Sequence, residues 1–222
     1  MPRGEAVITG PSAPAPAGAD GPGYFRILFV CTENLCRSVI GERLARRGIR
    51  ARLGDEAGRF RVTSAGTASP GGSPMHPYTM QALSRLGADT GGFRSRQLTA
   101  CDIDGADLIL SAGLGHRDQV LVMRPGASRR TYLLREFARL AAVISPAAAR
   151  DPGQQARGTV TAAARLRGRV PYVDPAADEI ADPAAAPEAF LGCAHLIDGS
   201  LGVVLDALCG SVPVRPATGL SR

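Results

Sequence analysis

Residues 29–41, FVCTENLCRSVIG, constrain the fold more than any other stretch of this 222-residue chain. The apolar run at 24–30, YFRILFV, reads as a buried strand and ends on Cys31. After five intervening residues come Arg37 and Ser38. Val39, Ile40, Leu44 and Ile49 then recur at helical spacing. A strand must therefore hand over to a helix within a five-residue loop. Such a loop can turn successive backbone N–H groups inward and form an anion nest. The helix N-terminus adds unpaired donors and the positive end of its dipole.

The spacing alone is weak. Five cysteines among 26 arginines in 222 residues give about 0.6 chance matches to Cys-x5-Arg. A second match exists, Cys209 to Arg215 in CGSVPVR, but it follows a helical pattern, contains proline and has no strand before it. It reads as accidental. The match at Cys31 has the strand and the helix that the chemistry needs.

The rest of the chain repeats the alternation. Strands are expected at 60–66, 106–112 and 130–134. Helices are expected within 73–87, at 116–123, at 135–144 and at 187–208, the last starting on a proline and interrupted by Gly192, Gly199 and Gly202. Alternating strands and helices predict an α/β three-layer sandwich: a central four-stranded parallel sheet with helices on both faces. Ligands of such sheets sit beyond the carboxyl ends of the strands, where Cys31 stands. The expected organisation is a flexible Pro/Ala/Gly leader at 1–23, one domain at 24–209, and a loose tail at 210–222. The domain carries a basic Ala/Gly-rich insertion at about 141–172, partly helical. The insertion holds five arginines against Asp151, a net of +4.

The loop has the parts that phosphoryl transfer to sulfur requires. Cys31 is a nucleophile in a field that favours thiolate. Thr32, Glu33, Asn34, Leu35, Cys36, Arg37 and Ser38 form the phosphate-binding loop. Arg37 can grip two phosphate oxygens through its planar fork, and Ser38 can donate to the sulfur. A proton donor for the leaving group is still needed. Asp182, before Pro183 and just ahead of the last helix, is the candidate. Asp151 and Asp174 also precede prolines and read as turn or cap residues.

Together these features resemble the low-molecular-weight protein tyrosine phosphatases, whose fold also serves some arsenate reductases. The residues that carry the resemblance are VCTENLCRS, TSAGTASPGGSP, GFRSRQLT, the DLIL strand, the EFARL helix and Asp182–Pro183. The resemblance implies Cys31 as nucleophile, Arg37 as clamp, and Asp182 as acid and then base. It implies Asn34 shaping the loop, with Ser38 and Ser64 in supporting hydrogen bonds, and Cys36 as a redox partner of Cys31. The implied substrate is a phosphotyrosine protein or another phosphomonoester, including a phosphorylated small molecule, and no cofactor is implied. The chain departs from the family pattern at several places. Glu33 replaces a small residue, Val39 a proline, and Phe93 a histidine that often buttresses the asparagine. Ala184 and Pro70 stand where aromatic walls are usual, which removes stacking of about 0.5–1.5 kcal/mol per pair.

Other readings are bounded by the same residues. An arsenate reductase needs two further cysteines near the third strand, and DLILSAGLG has none. A non-catalytic phosphate-binding protein is favoured by Glu33, Phe93 and Ala184 and opposed by Cys31, Arg37, Ser38 and Asp182. The net charge of +6 attracts anions, but aromatics are only 5% and no nucleic-acid fingerprint occurs, so no nucleic-acid partner is expected. His76, His116 and His195 lack ligand spacing, so no metal is expected. The N-terminus lacks the apolar block of a secretory signal, which points to a cytoplasmic protein, no membrane and no disulfide framework. The expected state is a monomer or weak dimer.

Overall fold

The computed structural model describes residues 23–145, 151–171, 173–183 and 186–210. Four strands form one sheet: β1 (Phe25–Cys31), β2 (Phe60–Gly66), β3 (Leu108–Ser111) and β4 (Thr131–Leu133). All neighbours are parallel and the order is β2-β1-β3-β4. β1 therefore lies inside the sheet, hydrogen-bonded on both sides, and six of its seven residues are buried. Its side chains alternate between two cores, as the pleat requires. Phe25, Ile27, Phe29 and Cys31 enter the larger core, and Leu28 and Val30 the smaller.

Helices cover both faces. On the larger face lie α1 (Arg37–Leu53), α2 (Pro77–Arg85), α5 (Leu134–Ala141), α6 (Pro152–Leu166) and α7 (Pro187–Cys209). On the other lie α3 (Ala100–Gly105) and α4 (Leu114–Met123), which bury Ile103 and Val120. The predicted three-layer α/β architecture is the observed one. The short α3 is absent from the sequence reading; the Thr99–Asp102 capping box starts it.

The arginine-rich segment contains a complete helix, α6. Asp151 caps it by accepting from the Gln154 N–H at 2.8 Å, and Pro152 occupies the first turn. Ala156, Val160 and Ala163 enter the core, and Thr159 donates to the Ala207 carbonyl at 2.9 Å. Its arginines are partly structural. Arg157 donates to the Tyr24 carbonyl at 2.7 Å and Arg167 to the Thr131 carbonyl at 2.7 Å. Arg150 falls outside the described residues.

α7 runs unbroken through its three glycines. By length and hydropathy it could cross a membrane; here it packs on α1, α2, α5 and α6 and buries Phe190, Ile197, Leu201 and Leu205. It approaches α1 closely at Gly48, where a Cβ would meet Leu205 Cδ1 at 2.5 Å. Nearer its start α1 lies close on β1, where a Cβ at Gly41 would meet the Phe29 ring at 2.5 Å.

Candidate active site

β1 delivers Cys31 to the carboxyl end of the sheet, and α1 begins at Arg37. The loop between them is fixed through its carbonyls. Cys31 accepts from Thr67 N–H at 2.9 Å, Thr32 from Ala68 N–H at 2.9 Å, Leu35 from His76 N–H at 3.0 Å and Cys36 from Ile40 N–H at 2.8 Å. Each peptide N–H points opposite to the preceding carbonyl. Carbonyls committed outward therefore turn the amides inward. Gly66 at the end of β2 makes this packing possible: a Cβ there would stand 2.4 Å from the Thr32 carbonyl oxygen and 2.9 Å from Asn34 N.

Asn34 is fully buried and has φ 60°, a left-handed conformation that asparagine tolerates better than most residues. Its amide nitrogen donates to Ser38 Oγ and to Ser64 Oγ, both at 2.9 Å. Its carbonyl accepts from Arg96 N–H at 3.0 Å. Ser38 Oγ lies 2.9 Å from Cys31 Sγ. Ser64 in turn donates to Glu42, a buried carboxylate that also pairs with Arg46 at 2.8 Å. The structure thus brings Cys31, Asn34, Ser38 and Ser64 into one network. Phe93 takes no part in it and lies beneath the Arg43 guanidinium at 5.8 Å. Glu42 and Arg96 hold the network from behind, so Asn34 has three partners without a histidine. Neither was foreseen from the sequence. Glu42 stands between Gly41 and Arg43 in α1, and a carboxylate at that place is not marked by the sequence as buried.

Arg37 Nη1 donates to the Ile180 carbonyl at 3.1 Å, and Nη2 donates to Asp182 at 3.0 Å. The guanidinium is nearly buried, whereas the Asp182 carboxylate is mostly exposed. Asp182 is thus delivered to the site across a long sequence separation, while Asp151 and Asp174 cap α6 and the 3-10 turn Pro175–Asp178. Cys31, Thr32, Glu33, Leu35, Cys36, Arg37 and Asp182 together line a cavity of about 140 Å³. Glu33 is exposed at its rim. Ala184 lies outside the described residues. No aromatic side chain lines this cavity among the described residues.

His116, near the start of α4, also reaches the site. Its Nε2 lies 2.9 Å from Thr32 Oγ1, which accepts from Arg37 Nη2 at 3.5 Å. Burial, reinforced by the Arg37 guanidinium, lowers its pKa. Its place just beyond the carboxyl end of β3 is the signal that could have found it.

A thiol at the end of a parallel strand, followed by a loop whose carbonyls are held outward and closed by an arginine, has the donors that an oxyanion would need. The family model of low molecular weight phosphotyrosine protein phosphatase matches residues 26–157. The chain belongs to that family and is a phosphatase of the hydrolase class. The protein-arginine-phosphatase of Geobacillus stearothermophilus is 32% identical over 113 residues, 51% of this chain and 71% of that protein. The low molecular weight protein-tyrosine-phosphatase Etp of Escherichia coli is 32% identical over 111 residues, 50% of this chain and 70% of that protein. A glutaredoxin arsenate reductase of Synechocystis is 33% identical over 86 residues, 39% of this chain and 58% of that protein. The fold agrees with a solved low molecular weight protein tyrosine phosphatase from T. tengcongensis, with TM-score 0.61 and 21% identity over 83% of this chain and 99% of that one. Asp182 and α7 lie beyond the segment that the family model covers.

Proposed function

We propose that this phosphatase works through a cysteinyl-phosphate intermediate. The observation that supports this most is the directed chain of hydrogen bonds beneath the sulfur. Asn34 donates to Ser38, so the Ser38 hydroxyl proton is left to point at Cys31 Sγ, 2.9 Å away. That arrangement stabilises a thiolate and later a thiolate leaving group. In the first step the Cys31 thiolate attacks phosphorus, the P–O ester bond breaks, and Asp182 gives its proton to the departing oxygen. In the second step Asp182 takes a proton from water, the water oxygen attacks phosphorus, and the P–S bond breaks to return the thiolate. Arg37 and the loop amides bind the three equatorial oxygens, whose charge is spread in the transition state.

The substrate of this reading is a phosphomonoester on a protein, phosphotyrosine included, or on a small molecule. A second reading, phosphoarginine, is favoured by one observation: two carboxylates, Glu33 and Asp182, line the cavity mouth, where a substrate guanidinium would meet them. One relative carries the name protein-arginine-phosphatase.

The test is hydrolysis of an aryl phosphate at mildly acidic pH without added metal, beside a phosphotyrosine peptide and phosphoarginine. Wild type turns over, Cys31→Ser is inactive, and Asp182→Ala is slower by about 10²-fold or more on poor leaving groups. If wild type is as inert as Cys31→Ser while phosphate or vanadate still raises Tm, the catalytic reading fails and a phosphate-sensing protein replaces it. Glu33→Gln separates the substrates, because it costs turnover on phosphoarginine but not on the aryl ester.

A further inference from the structure

A second cavity, of about 270 Å³, lies at the carboxyl end of β4, and the hydrolysis just described does not use it. It stands between α4, α5 and the chain that follows α6. Leu133, Leu140, Val170, Val173 and Pro175 give it apolar walls. Its size is near the small end of ligand pockets. The wall formed by the chain after α6 lies beyond residue 157, where the match to the family model ends.

Three arginines and two carboxylates also line it. Arg167 is committed to structure. It gives Nε to Glu136 at 2.9 Å and its two Nη groups to the Ser128 and Thr131 carbonyls at 2.8 and 2.7 Å. Arg139 gives Nε and Nη2 to the buried Asp178, and its Nη1 has no partner among the described residues. Arg117 donates only to Asp118, its neighbour in sequence, at 3.3 Å. Asp118 is mostly exposed, whereas the Arg117 side chain is partly buried. Each lining carboxylate is therefore answered by an arginine, and Arg117 is left as a cation against apolar walls. A neutral apolar guest would desolvate that cation without pairing it, which is unfavourable. A guest with one negative charge matches the excess, and a carboxylate fits the guanidinium fork.

The wall of this cavity continues into the catalytic one. Asp178 is pinned by Arg139. The Glu179 carboxylate accepts from Leu114 N–H at 2.7 Å, and Ile180 N–H donates to the Ala112 carbonyl at 2.8 Å. The Ile180 carbonyl and the Asp182 carboxylate then accept from Arg37. We propose that this cavity binds a small organic monoanion, a carboxylate with an apolar body, and that the guest holds the 173–182 segment in the position that sets Asp182 against Arg37. The carboxylate pairs with Arg117 and with Arg139 Nη1, and the body lies between Leu140, Val173 and Pro175.

The experiment follows hydrogen exchange and Tm of the full chain with benzoate at about 10 mM, well above the Kd of a weakly binding fragment. Benzamide supplies the same body without the charge, and acetate the charge without the body. Neither readout depends on turnover, so a failed hydrolysis reading leaves the test standing. Benzoate is expected to slow exchange at 174–182 and along α5 and to raise Tm, while benzamide and acetate do neither. Arg117→Ala, which loses only a contact to Asp118, is expected to fold normally and to bind benzoate about tenfold more weakly or worse. The proposal is overturned if benzoate has no effect, or if benzamide or acetate matches it. It is overturned equally if Arg117→Ala responds like wild type, or if the protection falls on the loop at 32–37, which would make benzoate a ligand of the catalytic cavity.

Discussion

Asn34 Nδ2 donates to Ser38 Oγ at 2.9 Å, and this leaves the Ser38 hydroxyl proton for another acceptor. A serine that accepts from an amide has its hydroxyl hydrogen left for the sulfur 2.9 Å away. Asn34→Ala removes that bond, the bond to Ser64 and the acceptor for Arg96 N–H. It also puts alanine at φ 60°. We expect a loss of about 2–4 kcal/mol in denaturant unfolding and a fall in kcat of about tenfold or more. Asn34→Gly relieves the backbone strain and is expected to recover about 1 kcal/mol of stability but none of the kcat. Equal kcat in Asn34→Ala and wild type would remove the asparagine from the mechanism.

The carboxylate of Glu42 is buried beside Arg43 and Arg46, 3.9 and 2.8 Å away. Glu42→Gln keeps the shape and the acceptor for Ser64 but leaves the buried Arg43 with only Asp89 as its ion-pair partner among the described residues. The expected cost is about 1–3 kcal/mol of unfolding free energy, with kcat changed less than twofold. Urea denaturation and steady-state kinetics on the same sample separate the two effects.

Gly66→Ala tests the floor of the loop. The new Cβ stands against backbone, the Thr32 carbonyl and Asn34 N, and no flexible side chain can move aside. The expected outcome is a folded protein whose Tm no longer rises with phosphate. A normal phosphate shift would show that the loop can close without glycine at this position.

Acid sensitivity should come partly from His116. Its pKa in the folded state is lowered by burial and by Arg37. Between that value and about 6.5 the unfolded chain holds the proton that the folded chain refuses. Stability therefore rises with pH across this window and falls as pH drops through it. His116→Asn is expected to flatten the decline of Tm between about pH 7 and pH 5. An unchanged slope would assign the decline to other groups.

Much of this site was legible because it is local. Cys31, Arg37 and Ser38 follow one strand and open one helix, and the pleat and the helix N-terminus dictate where they point. Asp182 was legible through its place before a proline-started helix, though only the fold separates it from Asp151 and Asp174, which cap helical turns. Glu42 and His116 were not legible. Each joins the site through packing between elements apart in the chain, Glu42 through Ser64 of β2 and His116 from α4. A carboxylate on a helix ordinarily faces water, and only the arrival of β2 turns Glu42 inward. The alanine-rich α6 was seen only in part, since small residues give little periodic contrast even where they pack.

The order in which the parts leave the ribosome follows from where α7 lies in the chain. The thiol and its loop are made early, in the first strand–helix pair, whereas Asp182 and the helix that covers the larger core come last. A nascent chain that has reached residue 180 has Cys31 but neither Asp182, the acid of the proposed mechanism, nor Phe190, Ile197, Leu201 and Leu205 to close the sheet face. Its apolar surface is open to chaperones over the same interval. In the proposed mechanism such a chain cannot complete turnover until Asp182 is made and α7 docks.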